Sequence, residues 1–151
     1  DHPIYHHGFR ENVIYNEAKN FDGNFSLCTD NHGFKYHCNK IREKKFDFAF
    51  IGDSFVEGVG LPYKDTFVGI YEENSKKSVA NLGVTSYGTK IYLSKIDFLL
   101  KNNYHFDHVV VFIDISDLYD DNTFYLLNED LSVWEKNAKK KSLKRRKFFK
   151  I

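Results

Sequence analysis

The spacing of apolar positions along this chain changes character near residue 46. Before it, polar and turn-forming residues surround isolated aromatics with no helical repeat. Within that stretch, residues 25–27 and 34–36 flank Thr29-Asp30-Asn31-His32-Gly33 and read as a β-hairpin. From residue 46 onward, short apolar runs alternate with longer amphipathic ones. Residues 48–51, 78–82 and 109–113 have the length and bounding residues of buried strands. Asp65-Thr66 offers an N-cap to a helix carrying Phe67, Ile70 and Tyr71 on one face, and Ile91, Ile96, Leu99 and Leu100 predict a helix over 89–102. Strands and helices alternating at this spacing predict βαβ units on a parallel sheet, hence an α/β fold with three layers. The chain then divides into an N-terminal extension with a hairpin (1–45), an α/β core (46–125) and a basic, helical segment (126–151).

In a parallel sheet the carboxyl ends of the strands border one crevice. Three polar or glycine-bearing strand ends should meet there: Gly52-Asp53-Ser54, Asn81-Leu82-Gly83 and Asp114-Ile115-Ser116-Asp117. Together they resemble the SGNH, or GDSL-type, hydrolase superfamily. Its blocks are a Gly-Asp-Ser strand end, an Asn-x-Gly loop, a Gly-x-Asn-Asp strand end and a late Asp-x-x-His. The likeness runs over about residues 46–121. GDSFVEGVGL, NLGVTSYG and the upstream HHGF and TDNHGFK are similar, more narrowly, to SGNH proteins found with bacterial surface-polysaccharide O-acetylation.

The resemblance implies a flavodoxin-like α/β/α fold and an ester chemistry. Ser54 would be the nucleophile, with its own N–H and that of Gly83 as oxyanion donors. Ser116 falls where the family has its third donor, an asparagine, and Asp114 falls where it has glycine. Asp53 and Asp117 are read as structural support, and Asp114 as the cap of a neighbouring turn. No Asp-x-x-His follows the third strand, and none of the seven histidines lies beyond His108. The chain therefore reads as cut before that block, with about two strands of a flavodoxin-like sheet still to come. His105 and His108 fall toward the wrong end of the third strand, leaving His6, His7, His32 and His37 as the histidines that could fold over the crevice.

The implied activity is that of a serine esterase or O-acetyltransferase on acetylated carbohydrate; the acceptor, water or a sugar hydroxyl, stays open. An inactive SGNH-like module that binds carbohydrate is the alternative. A nucleotide binder is the weakest reading, since Gly52-Asp53-Ser54-Phe55 is not a phosphate loop of the Gly-x-x-x-x-Gly-Lys type. Tyr63 and Tyr87 either line a sugar cleft or pack. No cofactor is implied. The partner expected is an acylated carbohydrate or another small ester, with no nucleic acid; attachment to a membrane would fall to segments outside this sequence. The family likeness favours an extracytoplasmic site.

Charge and cysteines refine this picture. The chain has 22 basic and 21 acidic residues, yet Lys139, Lys140, Lys141, Lys144, Arg145, Arg146, Lys147 and Lys150 crowd a segment without acidic residues, so the rest is acidic. Leu143, Phe148 and Phe149 interrupt the basic run, which reads as a solvated helix face. Cys28 and Cys38 are either a disulfide or two thiols; with His32 and His37 they also form a loose zinc-like set.

Overall fold

The computed structural model describes residues 1–20 and 23–136. The basic run of 139–151 lies outside the described residues. The chain begins with strands β1 (Ile14–Asn20) and β2 (Gly23–Cys28), paired antiparallel. The hairpin thus lies upstream of the one expected, and residues 34–36 meet the end of β2 through a single bridge, Thr29 to Lys35. Asp30 explains the shift. Its Oδ1 accepts the N–H groups of His32 at 2.9 Å and Phe34 at 3.0 Å, which bends the chain and drops Phe34 into the core. Cys28 and Cys38 close this turn as a disulfide. With both sulfurs bonded to each other, the zinc-like set does not form, and His32 instead bonds the Arg42 carbonyl at 2.9 Å.

The core is a parallel sheet in the order β4-β3-β5, made of β3 (Lys45–Ile51), β4 (Val79–Asn81) and β5 (His105–Val111). Helices α1 (Ser54–Glu57) and α2 (Phe67–Ser75) fill the first crossover, with a 3-10 turn (Tyr63–Asp65) between them, and α3 (Thr89–Lys101) fills the second. Side chains of a strand alternate between faces. Phe48 and Phe50 accordingly join Val68 and Tyr71 of α2 on one face, while Ala49 and Ile51 join Ile91 and Leu99 of α3 on the other. The result is an α/β sheet with a helix on each side.

The N-cap of α2 forms where the sequence predicted. Thr66 Oγ1 accepts the Gly69 N–H at 3.0 Å at the start of α2. The Phe67, Ile70 and Tyr71 stripe forms but stays partly open, lining a shallow groove with Phe50 and Phe112. Two further elements follow β5: helix α4 (Ile115–Thr123) and a hairpin of β6 (Tyr125–Leu127) with β7 (Val133–Glu135). This hairpin occupies the start of the segment read as helical, because Tyr125 and Val133 bury their side chains in the α3-side core.

Residues near both ends of the N-terminal extension bond to the α/β core and to β7. Arg42 lies between Asp30 and Glu72 at 3.8 and 3.2 Å and donates to the Val79 carbonyl at 2.8 Å. The Ile4 carbonyl accepts from Val133 N at 2.7 Å and Ser94 Oγ at 3.3 Å, so the first residues strap α3 to β7.

Candidate active site

Where β3 ends, the backbone turns directly into α1. A Cβ on Gly52 would lie 2.3 Å from Val56 Cγ2, so only glycine lets the helix fold back this tightly. Asp53 is the N-cap and its Oδ1 accepts the Phe55 N–H at 2.9 Å. Ser54 is the first residue of α1 and is half-buried. Its N–H has no acceptor within the helix, and among the described residues nothing hydrogen-bonds its Oγ.

The loop after β4 presses against that same turn. A Cβ on Gly83 would sit 2.4 Å from Glu57 N and 2.7 Å from Val56 C. Asn81, itself buried, stitches the two together: its Nδ2 donates to the Val56 carbonyl at 3.0 Å and its Oδ1 accepts the Gly83 N–H at 3.1 Å. The N–H expected to face an oxyanion is therefore bonded to Asn81, and turning it toward the crevice requires that bond to open. Leu82 N and Phe112 N donate to the carbonyls of Phe50 and Ile51, which fixes all three strand exits side by side.

The third exit is built around carboxylates. Asp114 caps α4, and its Oδ1 accepts both the N–H (2.8 Å) and the hydroxyl (2.6 Å) of Ser116. The Ser116 hydroxyl is thus committed to Asp114 in an exposed turn. Those hydrogen bonds from Ser116 hold the Asp114 carboxyl below its ordinary value. Asp117 is buried; its Oδ2 accepts from Asp114 N and Tyr92 OH, both at 2.9 Å, while Oδ1 has no hydrogen-bond partner among the described residues. Burial pushes Asp117 upward, and the charges of Asp53 and Asp114 add to that shift against the lowering effect of the two hydrogen bonds. Asp121, one turn later, holds the start of α3 through Thr89 Oγ1 and the Lys90 N–H. A Cβ on Gly88 would crowd Asp121 Oδ1 at 2.6 Å.

No histidine bonds Ser54 among the described residues. His7 Nε2 pairs with the Thr85 carbonyl at 2.9 Å and its Nδ1 with that of His6 at 2.7 Å, which places both on the flank of the Gly83 loop. His32 bonds Tyr104 at 3.0 Å and His37 packs on Tyr63. His105 and His108 lie on β5 itself, the first opposite Lys45 at the amino end and the second stacked on Phe48. Tyr63 and Tyr87 are core residues: Tyr63 donates to Glu72 at 3.0 Å and Tyr87 to the His7 carbonyl at 2.5 Å.

Sequence reasoning passed over Asn81's side chain, Glu57, Tyr92, Asp121 and two buried lysines, Lys35 and Lys95. One of these carried a readable signal. Ile91, Lys95 and Leu99 recur at a spacing of four, which places a lysine within the apolar stripe of α3. Lys35, in an irregular turn, carried none. The chain matches no protein-family model, no curated protein and no solved structure.

Proposed function

We propose that this protein is a serine esterase or O-acetyltransferase acting on acetyl esters of carbohydrate, with Ser54 as nucleophile. One observation supports this above others: three polar strand ends share one edge, and the Ser54 hydroxyl, unbonded among the described residues, lies on the turn against which Gly83 packs without room for a Cβ. In this reading a base takes the Ser54 proton as Oγ bonds to the acetyl carbonyl carbon. The oxyanion collapses, the bond to the sugar oxygen breaks, and that oxygen receives the proton. Water or a second sugar hydroxyl then repeats the sequence on the acyl-serine. The Ser54 N–H serves as one oxyanion donor, and Gly83 becomes a second once its bond to Asn81 opens. The family likeness assigns the base to a late Asp-x-x-His block, which this sequence does not contain.

The strand order β4-β3-β5 agrees with the first three strands of a flavodoxin-like sheet, and we take the fold to be of that kind. A disulfide between Cys28 and Cys38 agrees with an oxidising, extracytoplasmic compartment.

A second reading, an inactive module that binds carbohydrate, is favoured by the internal bonds of the Gly83 N–H and the Ser116 hydroxyl. Labelling the full-length protein with a fluorophosphonate separates the two. An acyl-serine enzyme is labelled at Ser54 and loses turnover of an aryl acetate on Ser54→Ala. A binding module shows neither labelling nor turnover, and keeps its glycan affinity in that variant.

A further inference from the structure

Lys35 and Lys95 are 1% and 3% exposed. Each gives its ammonium to a backbone carbonyl at the carboxyl edge of the sheet. Lys35 Nζ donates to Gly58 O at 2.7 Å, and Lys95 Nζ donates to Leu82 O at 3.0 Å and to Tyr87 Oη at 3.3 Å. Gly58 closes the turn that begins with Ser54, and Leu82 immediately precedes Gly83. Glu57 belongs to the same cluster. It ends α1, and its Oε2 accepts the N–H and hydroxyl of Thr85 at 2.6 and 2.7 Å.

Burying a lysine head among apolar groups is costly, and filling the same space with leucine or methionine would avoid that cost. What lysine adds is a donor at a set distance. The need for one is evident here, because α1 is a single turn and one turn of helix cannot hold itself by its own hydrogen bonds. Its position relative to the Gly83 loop depends on ties from elsewhere. Asn81 supplies one, Glu57 a second across to Thr85, and the lysines anchor one chain segment each, Lys35 at Gly58 and Lys95 at Leu82.

We infer that Lys35, Glu57 and Lys95 form a buried polar clamp that sets the spacing between the Ser54 turn and the Gly83 loop, with Lys95 as its principal positioning residue. The inference rests on the reading of these strand ends as the reacting site. Geometry places the clamp behind that site, so its members touch no substrate.

The clamp is sensitive to pH in a defined direction. Burial holds Lys95 down at about 7 and Lys35 at about 8, with the Glu57 charge opposing both shifts. Lys95 also faces the rings of Tyr5, Phe34 and Tyr87, and its charge disfavours protonation of His2 and His7. Opening the loop hydrates Lys95 and restores its ordinary affinity for a proton. Opening therefore takes up protons at pH values between about 7 and the ordinary lysine range, so the clamp tightens as pH rises above about 7 and loosens as pH falls back toward it.

Amide hydrogen exchange on the full chain, corrected for intrinsic rates, reads this directly. Protection of residues 82–88 is expected to rise between pH 6 and 8 in the wild type. Lys95→Met should lower that protection about tenfold at pH 8 and abolish its pH dependence, whereas His7→Gln should keep the pH dependence. Glu57→Gln, which removes the charge supporting the ammonium, should move the onset of the rise to lower pH by about half a unit or more. A folded Lys95→Met with protection within about twofold of wild type overturns the clamp. If Lys95→Met does not fold, an unmoved onset in Glu57→Gln overturns it instead. Fluorophosphonate labelling of the same samples keeps the two readings apart: an unlabelled wild type sinks the role of Ser54, while exchange still decides the clamp.

Discussion

Strands β4 and β5 flank the same central strand, both run parallel to it, and both are rich in apolar residues, yet they lie in opposite environments. All three residues of β4 are buried, whereas on β5 Val109 is 42% and Val111 49% exposed. Parallel strands are ordinarily covered on both faces. Here α2 and α3 cover the β4 side, and the β5 side leaves Phe112, Ile113, Ile115, Leu118 and Tyr119 open beside an edge that no strand of the described residues pairs. The same asymmetry runs through the candidate site. On the β4 side, Asn81, Gly83 and the lysines are packed to contact; on the β5 side, Ser116 sits in an exposed turn. Burial, then, is a property of what covers a strand and cannot be read from the strand's own residues.

The sharpest way to break this comparison is a pair of truncations. Leu82→Ala, on the buried side, is expected to cost about 2–5 kcal/mol in denaturant unfolding. Val111→Ala should cost well under half as much. Equal losses would mean that β5 is covered in solution.

Gly83→Ala comes next. Its new Cβ would collide with backbone rather than with a flexible side chain, so a loss of about 1–3 kcal/mol is expected together with slower labelling of Ser54. Ser116→Ala, its counterpart on the open side, should change stability by no more than about 1 kcal/mol. If that variant labels Ser54 at the wild-type rate, Ser116 is not an oxyanion donor.

The buried side should also carry a pH signature that the open side lacks. A lysine held below its unfolded value binds fewer protons folded than unfolded, so unfolding takes up protons. With Lys95 at about 7 and Lys35 at about 8 in the folded state, stability should climb as pH rises from 7 toward 9. Melting temperatures across that window test it, and the climb should shrink in Lys95→Met. The smallest effect belongs to the open edge: Val111→Lys is expected to stay within about 0.5 kcal/mol of wild type and to reduce self-association measured by light scattering.

Much of the local structure was legible from residue order, because it depends on near neighbours. The Asp65-Thr66 cap, the helix over 89–101, the three core strands and the Asp114 cap follow from period and from side chains that bond their own backbone. So did the gathering of the three polar ends at one edge, which follows once the strands are parallel. Placement over distance was not legible. Asp30 moved the hairpin by choosing a turn, and the strap of the first nine residues over the Gly83 loop joins His7 to Thr85, 78 positions apart. The bond that occupies the Gly83 N–H is local, from Asn81 two residues earlier, but those that hold α1 come from Asn81, Lys35 and Glu57, each across a stretch of chain whose path only the assembled core sets. Periodicity placed Lys95 on the apolar stripe of its helix; that its ammonium meets the Leu82 carbonyl was decided by how α3 seats on the sheet. A side chain's local preference acts over one or two turns, while its hydrogen-bond partner is chosen by packing of the whole.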